Sequence, residues 1–420
     1  MKFAASMLSR VPLIVLLNIG SLVACSSDEG GGSPDGDEGI SGSPRSDGGT
    51  GGPSPDGAGG TGNGNSGPDG GAHSEGGSDG GVSMPVRPPV PVVASISGFA
   101  AVGGAASLTD LACNTAGCFE AQVGPASSGV LLLPHAAASP STMPDGPFLV
   151  GLTTVGTTVY GVAFDYVSQA ESYASVYKLP YGAAGWIRVG TKDPLLAWPP
   201  SSLETDGVRI YRPARNGLAA IGVGAGPGDA WSPVGTGFPG SAMHCRIDSK
   251  GNIYALSDQT MKEVFKLPVG HSAWAQLPMG AAMPQDEYDR ASGRRISIAP
   301  NDDVWMVGAN FVSKLPAGSS VWKRIFTGPS PADTTEHAVS EVIVDGSDRA
   351  YFTFGANPAK LYKVEPGASS PVDTGISVPP APTLISGHVG ASLGIDANGK
   401  LLVAMRGGSI YASGLYRSTP

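Results

Sequence analysis

The sequence predicts an all-β chain: a single β-propeller of seven four-stranded blades, carried behind a disordered N-terminal tether. Three observations predict it. A strand–turn–strand pattern returns seven times, most copies are followed by a third and a fourth strand signal, and the Gly/Pro-rich acidic sequence is confined to residues 26–91.

The first element is residues 1–24. Lys2 and Arg10 form a positive start, followed by an apolar run of fourteen residues, Val11–Ala24. A membrane-spanning helix needs roughly 20 residues, so the run suits the core of a signal peptide instead. It ends Leu22-Val23-Ala24-Cys25. That order resembles the lipobox of bacterial lipoproteins. The resemblance implies cleavage before Cys25, diacylglycerol on its thiol and acylation of the new amine, so Cys25 is the expected lipidation site and the membrane a partner through it. In proteobacterial members an aspartate after the cysteine favours retention at the inner membrane. Ser26 therefore implies the outer membrane, facing either the periplasm or the outside.

The second element, residues 25–91, is almost entirely Gly, Ser, Pro, Asp and Asn, drawing heavily on the chain's 63 glycines and 37 prolines. Such a segment buries too little apolar surface to offset its ordering entropy. As a Gly-rich coil of about 66 residues it spans about 45 Å r.m.s.. Residues 26–91 hold ten acids against Arg45 and Arg87, a net −8, whereas the whole chain carries −9. With +2 in the first 25 residues, the remainder carries only −3. A nearly neutral domain without a Lys/Arg run argues against nucleic acid as partner.

The third element, residues 92–420, holds the repeat. Four copies are plain: Ile247–Tyr254, Ile298–Trp305, Val344–Tyr351 and Ile395–Leu402, each a strand, an Asp/Asn/Gly turn and a second strand. Leu152–Tyr160 and Leu203–Tyr211 match with one insertion, and Leu111–Phe119 is degenerate. The leading apolar residues lie at 111, 152, 203, 247, 298, 344 and 395, spaced 41–51 residues apart. A third strand ends in proline in most units, as in VYKLP at Val176–Pro180. Trp186, Trp231, Trp274 and Trp322 mark a fourth. The last unit stops at its third strand, Leu415–Ser418, so the apolar run Pro91–Ala101 is expected to supply the missing outer strand and close the ring. The D-x-x-G-x-I-Y hairpin resembles the repeats of NHL-type and related propellers, which implies this architecture without selecting a ligand.

Cys113 and Cys118 flank the first hairpin turn, a spacing that in an exported protein favours a disulfide. The rival reading, a CxxxxC metal pair, lacks a second pair. Cys245 is expected to be a buried thiol. Asp248, Asp345 and Asp396 are expected to cap their own turns rather than bind metal. Gly394–Lys400 fits GxxxxGK, but Leu401 stands where Ser/Thr would hold magnesium and a strand follows.

The connections entering the innermost strands form one face around a propeller channel. His337 and His388 each precede the leading apolar residue of their blade by seven positions, and His244 by three. Gln285–Arg290 is the most charged stretch of the domain, with Arg294 and Arg295 after it and Glu341 on the inner strand of blade 6. His244, Asp289, Arg290, Arg294, His337, Glu341 and His388 are thus candidates for a polar ligand face. The favoured function is a monomeric, cofactor-free binding or scaffold module for protein, peptide or glycan. The alternative is a propeller enzyme. Lactonases of the senescence-marker type carry a Glu/Asn/Asn/Asp metal set with no match here. Lyases of the virginiamycin type use histidine and magnesium, which His337 or His388 with Glu341 would resemble. No catalytic residue and no metal ligand is assigned.

Overall fold

The computed structural model describes residues 89–420, apart from 104–106, 124–127, 148, 167–171, 195–201, 258–262, 279–294, 309, 330–338, 356–357, 380–390 and 406–413. Among the described residues 28 strands form seven four-stranded antiparallel sheets, and no helix occurs. Strand β1 (Gly98–Gly103) comes first in the chain. Blade 1 follows as β2 (Ser107–Cys113), β3 (Cys118–Val123), β4 (Ser128–Leu133) and β5 (Ser141–Thr142). Blade 2 is β6 (Leu149–Val155), β7 (Thr158–Tyr166), β8 (Ser172–Leu179) and β9 (Ile187–Pro194). Blade 3 is β10 (Glu204–Thr205), β11 (Arg209–Ala214), β12 (Gly217–Gly222) and β13 (Ser232–Val234). Blade 4 is β14 (Ala242–Ile247), β15 (Ile253–Ser257), β16 (Val264–Leu267) and β17 (Ala275–Leu277). Blade 5 is β18 (Arg295–Ile298), β19 (Val304–Val307), β20 (Phe311–Leu315) and β21 (Lys323–Thr327). Blade 6 is β22 (Ile343–Val344), β23 (Ala350–Phe354), β24 (Ala359–Val364) and β25 (Val372–Val378). Blade 7 has only β26 (Ala391–Ile395), β27 (Leu401–Met405) and β28 (Gly414–Thr419) from its own stretch of chain. Its fourth strand is β1, paired antiparallel with β28 from Gly98↔Thr419 to Gly103↔Leu415.

The expected exchange therefore closes the ring, with one refinement. The strand begins at Gly98, and the residues before it run across the hairpin turns of blades 6 and 7 as a strap. Val93 N–H donates to Asp345 Oδ2 at 3.0 Å, Arg349 Nη2 donates to Val93 O at 2.9 Å, and Ala94 N–H donates to Gly399 O at 2.9 Å. Val93 itself is buried against Tyr351, Leu361, Ile395 and Leu401.

Each hairpin turn is held as its sequence dictates. Asp248 Oδ1 accepts from the N–H groups of Lys250 and Asn252. Asp345 Oδ1 accepts from Ser347 and Arg349, and Asp396 Oδ1 from Asn398 and Lys400, all at 2.8–3.1 Å. The aspartates are turn caps. In blade 1 the turn is clipped covalently by the Cys113–Cys118 disulfide, with Asn114 Oδ1 accepting from Ala116 N–H. Closing so short a loop contributes about 2 kcal/mol in the chain-entropy picture.

The core lies in the seams between consecutive blades rather than within any one. Tyr254 and Leu256 of blade 4, for example, meet Ile296, Met306 and Trp322 of blade 5. Phe119 and Leu132 of blade 1 meet Leu149, Leu152 and Val159 of blade 2. Tryptophans at the fourth strands fasten three seams from outside. Each indole lies over a glycine of the preceding blade: Trp186 over Gly146, Trp231 over Gly190 and Trp274 over Gly235. The indole N–H of Trp186 donates to Pro144 O at 3.2 Å and that of Trp274 to Val234 O at 2.9 Å.

A Cβ on Gly235 would lie 2.6 Å from Trp274 Nε1, whereas one on Gly237 would meet nothing within 4 Å. Both have left-handed backbones, with φ of 70° and 77°. Gly237→Ala should thus cost only the backbone strain, about 1–2 kcal/mol. Gly235→Ala adds the lost indole contact and should cost about 2–4 kcal/mol. Equal losses in chemical denaturation would show that the indole does not rest on this glycine.

Candidate functional site

The inner strand of every blade is a sheet edge, with N–H groups that its own blade leaves unpaired. Side chains from the preceding blade meet several of them. Asp110 Oδ2 on β2 accepts from Leu152 N–H of β6 at 2.7 Å. Ser202 Oγ, just before β10, accepts from Cys245 N–H of β14 at 3.3 Å, and His244 Nδ1 on β14 accepts a long 3.4 Å bond from Ile296 N–H of β18. His244 is 1% exposed. Burial first, then the charges of Arg246 and Arg295, hold its imidazole well below the ordinary histidine pKa. It is a neutral acceptor between two inner strands and does not present itself to solvent.

Around the axis the inner strands contribute four charged side chains, and Glu341, expected on the inner strand of blade 6, adds a fifth from two residues before β22 (Ile343–Val344). Arg246 of blade 4 reaches Glu341 of blade 6 (Nη2–Oε1 2.9 Å) and Glu204 of blade 3 (Nη1–Oε2 3.4 Å). Arg295 of blade 5 reaches the other oxygen of Glu341 at 3.1 Å, Ser392 Oγ of blade 7 at 3.1 Å, and Asp110 of blade 1 at 3.9 Å. Three carboxylates thus face two guanidiniums, and the inner strands of six blades are joined across the channel. Their side chains are only 12–22% exposed, so these pairs are screened far less than surface ones.

Of the residues proposed from sequence, Glu341 stands in this network, and His244 is buried outside it with Ile296 N–H as its partner. Cys25, Asp289, Arg290, Arg294, His337 and His388 lie outside the described residues. Sequence reasoning did not pick out Asp110, Glu204 and Arg246. The available signal was positional: Asp110 and Arg246 each directly precede the leading apolar residue of their blade, as Ser202 does in blade 3.

Cys245 is fully buried, and burial pushes its thiol up to about 12, so it is not a nucleophile at neutral pH. Among the described residues no three His, Cys, Asp or Glu side chains converge as a metal set. A cavity of about 130 Å³ opens between blades 4 and 5, lined by Tyr254, Lys266, Asp302 and Ser319. It is smaller than the roughly 300–1,000 Å³ of small-molecule pockets.

No family model matches the chain, and no curated protein matches it. Solved structures do. YCF48 bound to D1 peptide is similar over 79% of this chain and 98% of its own, at 12% identity and a TM-score of 0.53. A chain of the mitotic checkpoint complex is similar over 80% and 99%, at 11% identity and 0.51. The WD40 β-propeller domain of Doa1 is similar over 76% and 97%, at 10% identity and 0.50. These likenesses are of fold.

Two carboxyls make stability depend on pH. Asp110 is pushed up to about 6, chiefly by burial and against the pull of Arg295. Glu120 on β3 is 1% exposed, neither of its oxygens has a hydrogen-bond partner among the described residues, and burial pushes it up to about 8. In each case the unfolded chain gives up its proton first, so the folded state loses stability as pH rises toward the folded pKa. Below about pH 6.5 these losses are opposed by His244, whose lowered pKa makes the folded state gain stability as pH rises, so a net fall is expected only from there to about pH 8 and is due to Glu120. Glu120→Met should hold its Tm between about pH 6.5 and 8, where that of the parent falls. A parent Tm that stays level across this range would contradict the assignment.

Proposed function

We propose that this chain is an outer-membrane lipoprotein, held by lipid on Cys25, whose propeller binds a protein or peptide on the face formed by its inter-blade connections. One observation carries the binding half. The links from Leu277 to Arg295, Thr327 to Ile343 and Val378 to Ala391 contain 17, 15 and 12 residues, against nine or fewer for the other inter-blade links. These three are consecutive around the ring, and they contain Asp289, Arg290, Arg294, His337 and His388. Long connections mounted on a rigid ring are where binding surfaces are usually built. At the ends of these links Arg295, Glu341 and Ser392 are joined to one another.

The same network favours binding over catalysis. Glu341, the carboxylate on which a lyase-like reading would depend, has both oxygens engaged by Arg246 and Arg295. A general base or metal ligand needs a free lone pair aimed at its substrate. That a ring of this fold occurs bound to a peptide in YCF48 is in keeping with a peptide or protein ligand.

Two measurements test the two halves. Cys25→Ser should move the protein from the membrane to the soluble fraction with its thermal unfolding unchanged; a variant that still sediments with membranes overturns the lipid anchor. A photo-crosslinking residue at Thr327 or Ser377, exposed at the ends of β21 and β25 on the connection face, should trap one discrete envelope protein in cells. The same residue at Lys250, on a hairpin turn of the opposite face, should not. Adducts at Lys250 alone, or at neither position, overturn the binding face.

A further inference from the structure

In a four-stranded antiparallel blade the first and third links lie at one end, and the second link and the inter-blade connection at the other. The strap belongs to the first end, because it lies on the hairpin turns of blades 6 and 7. The chain toward Cys25 therefore leaves the propeller from the face opposite the inter-blade connections.

Among the described residues, that exit face carries several exposed apolar side chains. Val208 lies in the first link of blade 3. Tyr181, Val269 and Val321 lie in the third links of blades 2, 4 and 5, Val372 opens β25 directly after the third link of blade 6, and Val92 lies on the strap. These six are 48–63% exposed. The charges at this end largely cancel locally. Arg209 pairs with Asp206 and Lys363 with Glu365.

We infer that this exit face rests on the lipid surface to which the chain is anchored, so that the connection face points away from the membrane. The inference rests on the lipid anchor at Cys25. What selects lipid as the occupant is where the tether ends. A tether of about 66 residues keeps the domain at an r.m.s. distance of about 45 Å from its anchor, and the strap that continues it lies on this face. Under that confinement weak contacts suffice, because docking becomes intramolecular and is driven by a high effective concentration. Six apolar side chains around one rim, with nearly balanced charge between them, suit shallow insertion at the headgroup boundary of a bilayer. They are separated by Gly, Ser, Ala and Pro turns rather than gathered into one continuous patch, as a tight protein interface would gather them.

The test uses full-length protein purified from membranes and reconstituted into phosphatidylethanolamine/phosphatidylglycerol vesicles carrying nitroxide-labelled lipid. Single cysteines in place of Tyr181, Val321, Thr327 or Ser377 each receive an environment-sensitive fluorophore. Cys113 and Cys118 are bonded and Cys245 is buried, and labelling of the parent protein reports whether Cys25 is blocked by lipid, so that signal from the new thiol is told apart. Labels at Tyr181 and Val321 should lose fluorescence to the nitroxide lipid, while labels at Thr327 and Ser377 keep theirs. Equal quenching on the two faces, or none on either, overturns the inference. So does a response at Val321 that follows protein concentration and the appearance of dimers in sedimentation. Incorporation of an alkyne fatty acid at Cys25, measured on the same samples, reports the anchor separately. A lipidated protein without quenching sinks the docking alone, and an unlipidated one sinks the reading beneath it.

Discussion

The pairing of β1 with β28 is the contact on which the ring depends. Ser97 N–H donates to Thr419 O across 322 residues of chain, so the closing strand must find its partner from the far end of the domain. By loop-closure entropy that costs about 3 kcal/mol more than closing a ten-residue hairpin. The offset comes from surface that only a closed ring buries. Tyr416 and Val93 are 4% and 3% exposed, and the seam from blade 7 to blade 1 gathers Leu111, Leu133, Leu402 and Leu415. Each such side chain contributes about 1.5–3 kcal/mol when fully buried, so the closed state wins with several residues to spare. Without β1, β28 would also be an open sheet edge, a template for pairing with other chains.

Closure also makes the channel. Once seven inner strands stand around one axis, blade 4 can reach blade 6 directly, and Arg246 does so to meet Glu341. The five charges there serve the same end as the edge bonds from Asp110, Ser202 and His244: they tie inner strands that have no ladder between them. Most of the polar chemistry visible in the channel is therefore used in holding the ring. The strap lies at the other end, on the hairpin turns of blades 6 and 7.

How much of this could be read from the chain follows from which features repeat. The Asp-capped turns, the strands ending in Leu-Pro and the fourth-strand tryptophans recur at 41–51 residues because each blade solves the same packing problem, and they located the blades. The shortage of one strand at Leu415–Ser418 similarly pointed to the amino-terminal run as its partner. Its first residues were harder to assign, because Pro91–Ser97 is as apolar as the strand that follows. Only the position of Asp345 and Gly399 shows that it is a strap. The network was not legible for a different reason. Asp110, Glu204, Arg246 and Arg295 lie on four different blades, and no spacing links residues brought together by a ring. His244 was misleading because a histidine before an inner strand can face the channel mouth or the next strand. Here a bulge between Ala242 and His244 accompanies the second outcome.

Closure of the ring by its own amino-terminal strand is tested most directly by native-state hydrogen exchange on the full-length protein. The amides of Phe99–Ala101 that bond to β28 should exchange as slowly as those of Leu415–Ser418, with the same dependence on denaturant, because both open only when the whole ring opens. Rapid exchange at Phe99–Ala101 while blades 2 to 6 remain protected would mean that β1 is a detachable appendage and that the ring is held by something else.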